Sequence, residues 1–144
     1  MSKWRHLALK LFPERSHGSA GFQRPECTLY SVFFDLLAEL DERIAAGDAD
    51  WLRRVFTLVN WAFAQRRRAP DIWNAAATAF LEHMADDDRR AALIPQYVSP
   101  PMFDNMSPEF LMRRERNGVG KAQVLLDRYN ESHGTQFKNE VNAA

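Results

Sequence analysis

The chain has 144 residues, and its 19 basic and 19 acidic side chains cancel to a formal net charge of +0 at pH 7. That balance supplies no overall field to draw the protein onto nucleic acid or anionic lipid, and the single cysteine, Cys27, excludes an intramolecular disulfide framework. A chain of this length can bury roughly two-thirds of its unfolded surface, so one domain that needs neither disulfide nor metal is expected.

Lys3 and Arg5 precede only Leu7-Ala8-Leu9 before Lys10 interrupts, too short for a signal-peptide core. No apolar run approaches the roughly 20 residues of a membrane span. A soluble cytoplasmic protein is expected. Arginine outnumbers lysine, which suits bidentate ion pairs and interfaces but equally reflects a G+C-rich genome.

Trp4, Leu7, Ala8 and Leu11 share one helical face, and Pro13 stops that short amphipathic helix. Residues 13–27 follow neither helical nor strand period and read as an irregular loop. Thr28 is placed to cap a helix in which Leu29, Val32, Phe33, Leu36, Leu37, Leu40 and Ile44 recur at helical intervals. After Ala46-Gly47, Asp48 caps the most apolar helix of the chain, with Leu52, Val55, Phe56, Val59 and Phe63 on its buried face and Pro70 forbidding continuation. The short connection predicts an antiparallel αα-hairpin. Ile72, Trp73, Ala76, Ala77, Phe80, Leu81 and Met84 predict a third core helix, with the second packed between the other two.

Asp86-Asp87-Asp88 favours a short helix before Pro95, Pro100 and Pro101 break the chain. Ser107-Pro108-Glu109 reads as the start of a helix ended by Asn117-Gly118, and Ala122, Leu125, Leu126 and Tyr129 predict a last helix up to Gly134. The expected fold is therefore all-α, an antiparallel helical bundle or short two-helix-repeat-like stack of about five to seven helices. One domain over 1–134 and a frayed tail over 135–144 are expected.

No two-cysteine cluster, His-Glu-x-x-His or calcium loop is present, so no metal and no cofactor are expected. Gly118-Val119-Gly120-Lys121 resembles the end of a phosphate loop, but Glu115 and Ala122 occupy positions that need glycine and a hydroxyl. Cys27 with His17 is a thin basis for a thiol nucleophile. His83, with Glu82 beside it and Asp87 one turn on, offers an imidazole that a carboxylate orients for acid–base work, against the plainer reading of a structural histidine. Arginine runs at Arg53-Arg54, Arg66 to Arg68, Arg89-Arg90 and Arg113-Arg114 alternate with acids, which favours solvated ion pairs over a phosphate-binding face. Trp61 projects away from the apolar stripe, two turns from Arg54, so the two make a candidate contact patch unless another segment covers the indole. The run from Tyr97 to Phe103 offers apolar side chains on a stiff backbone, suited to an interface or to covering a core.

Leu29 to Leu37, Leu52 to Phe56 and Asp71 to Ala76 resemble small, poorly characterised all-α bacterial proteins, among them immunity proteins that neutralise toxins used in bacterial competition. The resemblance covers roughly Pro25 to Phe110 and carries over no site residues. It implies stoichiometric binding of another protein, a toxin domain in the immunity case. The expected function is thus a cytoplasmic protein-binding module, monomeric when free, without catalytic residues, contacting its partner through Arg54, Trp61, Tyr97 and Phe103. A small enzyme built on His83 and a helical peptide-binding adaptor are the alternatives.

Overall fold

A computed structural model describes residues 1–16 and 21–140, so His17 lies outside the described residues. The fold is all-α: among the described residues every regular element is helical, and no helix is long and apolar enough to cross a membrane. The chain divides into two compact units, 1–80 and 81–144.

In the first unit, α1 (Lys3–Leu11), α2 (Leu29–Ala45), α3 (Ala49–Ala64) and α4 (Pro70–Ala79) enclose one core. The predicted caps form. Thr28 accepts from the Ser31 amide at 3.2 Å while Ser31 Oγ accepts from the Thr28 amide at 2.9 Å, a reciprocal capping box. Asp48 accepts from the Trp51 amide at 3.0 Å, and Gly47 takes the left-handed φ of 65° that the tight turn demands. Leu52, Val55, Phe56, Val59 and Phe63 are buried as their period predicts.

The packing order differs from expectation. α4 lies against both α2 and α3, and touches α2 more extensively than α3 does, so α3 is not sandwiched between them. Buried Ala75, Ala76 and Ala79 explain this, because small side chains let the α4 backbone approach both neighbours closely. Phe80 completes the junction, its ring 6.2 Å from Phe33 and 6.0 Å from Phe56.

Residues 22–27, just before α2, are pinned from one side chain. The Arg5 guanidinium donates to the carbonyls of Phe22 at 2.5 Å, Arg24 at 2.8 Å and Cys27 at 2.9 Å. Phe22 thereby closes over Phe12, which in turn meets Trp51 edge-on.

The predicted helix over Ile72 to Met84 is shorter than expected. α4 ends at Ala79, Phe80 leaves helical geometry, and Leu81–Ala85 forms a 3-10 turn that opens the second unit. Asp87 then caps α5 (Asp88–Ala91), with α6 (Ile94–Tyr97), α7 (Pro100–Asn117) and α8 (Lys121–His133) after it. α7 also corrects the sequence reading, since it starts at Pro100 and runs through Pro108. Proline at 108 cannot donate to the Asp104 carbonyl, but Ser107 Oγ donates to it instead at 3.3 Å, so the freed acceptor stays satisfied.

Phe103 of α7 stacks on Tyr129 of α8 at 3.8 Å and 14°, and the Tyr129 hydroxyl donates to the Val98 carbonyl at 2.6 Å. Within the segment expected to fray, Phe137 lies 5.2 Å from Phe103, and its amide and carbonyl both bond the Asn130 side chain at 2.9 Å.

Candidate functional site

Among the large hydrophobic side chains that the described residues leave exposed, the two aromatic ones both lie on α2. Tyr30 is 41% exposed and Phe34 51% exposed, four residues apart on a helix whose opposite face is buried. Two aromatic rings thus stand on one flank of a capped helix. The buried stripe of Val32, Phe33, Leu36 and Leu40 anchors that helix, and the two rings lie outside it. A rigid amphipathic ring with few rotatable bonds loses little entropy on contact, which suits it to a protein interface.

Neither residue stands out in the sequence, because the buried stripe dominates the helical projection. The signal was partial: at 100° per residue Tyr30 and Phe34 fall 40° apart, but Tyr30 lies only 20° from Leu37 of the stripe and Phe34 60° from it.

The residues that the sequence offered for partner contact have different fates. The Arg54 guanidinium is committed inside the first unit, donating to the Leu11 carbonyl at 2.8 Å, to Glu14 at 2.9 Å and to Asp50 at 3.2 Å, and lying 5.0 Å over the Phe12 ring. Partial burial by itself would raise the Glu14 pKa, but the Arg54 hydrogen bond and charge outweigh it and hold that carboxyl below its usual value. Trp61 is half-buried, and its indole N–H has no hydrogen-bond partner among the described residues. Tyr97 is likewise half-buried. Phe103 is corrected outright to a core residue: it is 0% exposed, with Val98 and Met102 buried beside it, because the run from Tyr97 to Phe103 turns inward to fill the second unit.

His83 does gain carboxylates, though not the whole set that was foreseen. The 3-10 turn brings Asp86 into register, so that His83 Nδ1 lies 2.9 Å from Asp86 Oδ2, while Nε2 lies 3.8 Å from Glu82. Asp87 turns away to cap α5, accepting from the Arg90 amide at 2.8 Å. Arg113 ties the cluster together, reaching Glu82 and Asp86 at 2.9 Å and Glu109 at 3.0 Å. Burial raises the Glu82 pKa, and the neighbouring carboxylates reinforce it against Arg113. For Asp86 burial also raises, but hydrogen bonds from His83 and Arg113 prevail and lower it. Two carboxyls beside one imidazole are thus pushed apart in acidity, an arrangement that fits either an ion-pair clasp or proton transfer.

Cys27 is buried, with its thiol 3.5 Å from Ser31 Oγ. Lys121, the lysine of the loop-like Gly118 to Lys121 run, is bonded to Asp88 at 2.8 Å. Among the described residues no group of three or more His, Cys, Asp or Glu is placed to hold a metal ion.

The chain belongs to the family described as "Domain of unknown function (DUF7674)", whose model matches residues 5–110. No curated protein and no solved structure matches the chain.

Proposed function

We propose that this member of the family is a protein-binding module that holds its partner stoichiometrically, with the Tyr30–Phe34 face of α2 as the principal contact. The observation that carries the reading is the exposure of two large aromatic rings, 41% and 51%, on a helix locked by a reciprocal cap and a buried stripe. Aromatic anchors on a preorganised element reduce the ordering cost of association, and they concentrate binding energy in few side chains. Trp61, with its indole N–H open to an acceptor, remains a second contact in this proposal. Neutralisation of a bacterial competition toxin in the cytoplasm is the specific role we attach to the module, and it rests on the resemblance of the Leu29 to Leu37, Leu52 to Phe56 and Asp71 to Ala76 blocks to immunity proteins.

The test is co-purification from the native host with the intact chain as bait, then calorimetry on the recovered partner. A Tyr30→Ser/Phe34→Ser variant is expected to melt within about 0.5 kcal/mol of wild type, because it alters only exposed groups. It should lose about 2 kcal/mol or more of binding free energy, roughly thirtyfold in affinity. Unchanged affinity in the folded double variant removes this face from the interface. If the recovered partner is a toxin domain, co-expression should rescue growth, and failure to do so removes the immunity role.

A second reading is a small enzyme that uses His83, favoured by the 2.9 Å contact of His83 Nδ1 with Asp86 and by the acid beside its other nitrogen. A folded His83→Ala chain that loses a defined turnover present in wild type would support it.

A further inference from the structure

The second unit contains a cleft of about 390 Å³ that joins charged and apolar side chains in one lining. Lys121, Val124, Leu125 and Arg128 recur every three or four residues along α8 and form one wall. Asp88 and Pro95 lie across from them, and Arg114 of α7 completes the charged end.

The charges do not balance. Three cations face a single carboxylate, an excess of two positive charges. Asp88 is already taken up from both sides: Lys121 Nζ reaches its two oxygens at 2.8 and 3.1 Å, and Arg114 Nη2 reaches it at 2.6 Å. Those hydrogen bonds, Lys121's foremost, hold the Asp88 pKa down to about 2, so the carboxylate stays ionised and committed near neutral pH. Arg128 is exposed and has no ion-pair partner among the described residues. Beside these charges Val124, 48% exposed, and Pro95 present apolar surface to the same space.

A basic end joined to an apolar wall calls for a ligand with a compact anionic head and an apolar body. The volume lies in the range of roughly 300–1,000 Å³ typical of small-molecule sites. A phosphomonoester carries about −1.5 to −2 charge at pH 7 and three acceptor oxygens, which matches the excess and suits the two-pronged guanidinium. We propose that this cleft binds a small phosphomonoester, with Arg128 and Lys121 contacting the phosphate and Val124, Leu125 and Pro95 against its apolar body. The site is independent of the α2 aromatic face, and the α8 wall lies beyond the residues that match the family.

The test uses the full chain and phenyl phosphate, followed by amide NMR shifts. Phenyl phosphate is expected to shift amides at 88–95 and 121–128, and to bind at least fivefold tighter than either inorganic phosphate or benzyl alcohol. Arg128→Gln should weaken it about fivefold to tenfold, the loss of one charge-assisted contact. Val124→Asp, which puts a negative charge on an exposed wall position, should weaken it further. Arg116→Gln, at an exposed cation outside the lining, should leave it unchanged. The proposal is overturned if inorganic phosphate binds as tightly, if the shifts fall elsewhere, or if folded Arg128→Gln binds like wild type. A short phosphotyrosine peptide carries the same head group. Affinity within about twofold of phenyl phosphate keeps the small-molecule assignment, whereas tenfold tighter binding of the peptide overturns it in favour of a phosphorylated protein.

Discussion

Arg54 of α3 donates to the Glu14 carboxylate at 2.9 Å, tying the first turn after α1 to a helix 40 positions away in sequence. The same nitrogen bonds the Leu11 carbonyl at 2.8 Å, so one guanidinium satisfies the carboxy-terminal end of α1 as well. Arg54→Ala is expected to cost about 1–2 kcal/mol in urea melts, the range for partly buried charge-assisted bonds. Glu14 has a lowered pKa in the folded state, so its share is present above its ordinary value of 4.5 and is lost as pH falls through the depressed value. The stability gap between wild type and Arg54→Ala should therefore narrow on acidification, and a gap that is constant down to the acid limb would exclude the pair as its source.

Arg5 has three carbonyl acceptors along the segment between α1 and α2. A lysine ammonium is a compact point donor and cannot span the same three acceptors, so Arg5→Lys should lose nearly as much as Arg5→Ala, about 2 kcal/mol. Limited proteolysis should cut faster near 21–27 in both variants. Full rescue by lysine would show that charge alone, not the planar fork, holds the segment.

Phe56 is 2% exposed and meets Phe80 edge-on at 6.0 Å. Phe56→Ala should cost about 3–5 kcal/mol, because neighbouring helices only partly close the cavity left by a buried ring. A loss below about 1 kcal/mol in urea melts would place the residue outside the core.

Tyr129 is fully buried, and burial pushes its pKa up to about 12 from an ordinary 10.0. A raised folded-state value means stability that is complete below pH 10 and declines as pH climbs towards 12, since the unfolded chain ionises first. Tyr129→Phe should remove that alkaline slope. It should also cost about 1–2 kcal/mol at neutral pH by leaving the Val98 carbonyl without its donor. An unaltered alkaline limb in the variant would assign the slope to another group.

The helical periods and caps were legible without any structure, because they are local: Thr28, Asp48 and Gly134 act within one turn, and the stripe from Leu52 to Phe63 is set by 3.6-residue geometry. Those local rules determined an all-α chain, most of its core and the turns of its first half up to Pro70, but not the end of α4 or the start of α7. They did not determine which helices touch. The closeness of α4 to α2 depends on how three alanine-faced and aromatic-faced surfaces fit together, and α7 runs through Pro108 with its Phe103, Phe110 and Leu111 buried in the second unit. Side-chain destinations were also tertiary. Arg54 and Phe103 have the composition of interface residues, yet one is drawn to Glu14 and the other stacks on Tyr129. Tyr30 and Phe34 look like ordinary helix formers until burial is known. Sequence spacing determines the direction in which a side chain leaves its own helix, whereas what lies in that direction is determined only when distant segments pack, and exposure follows from that packing.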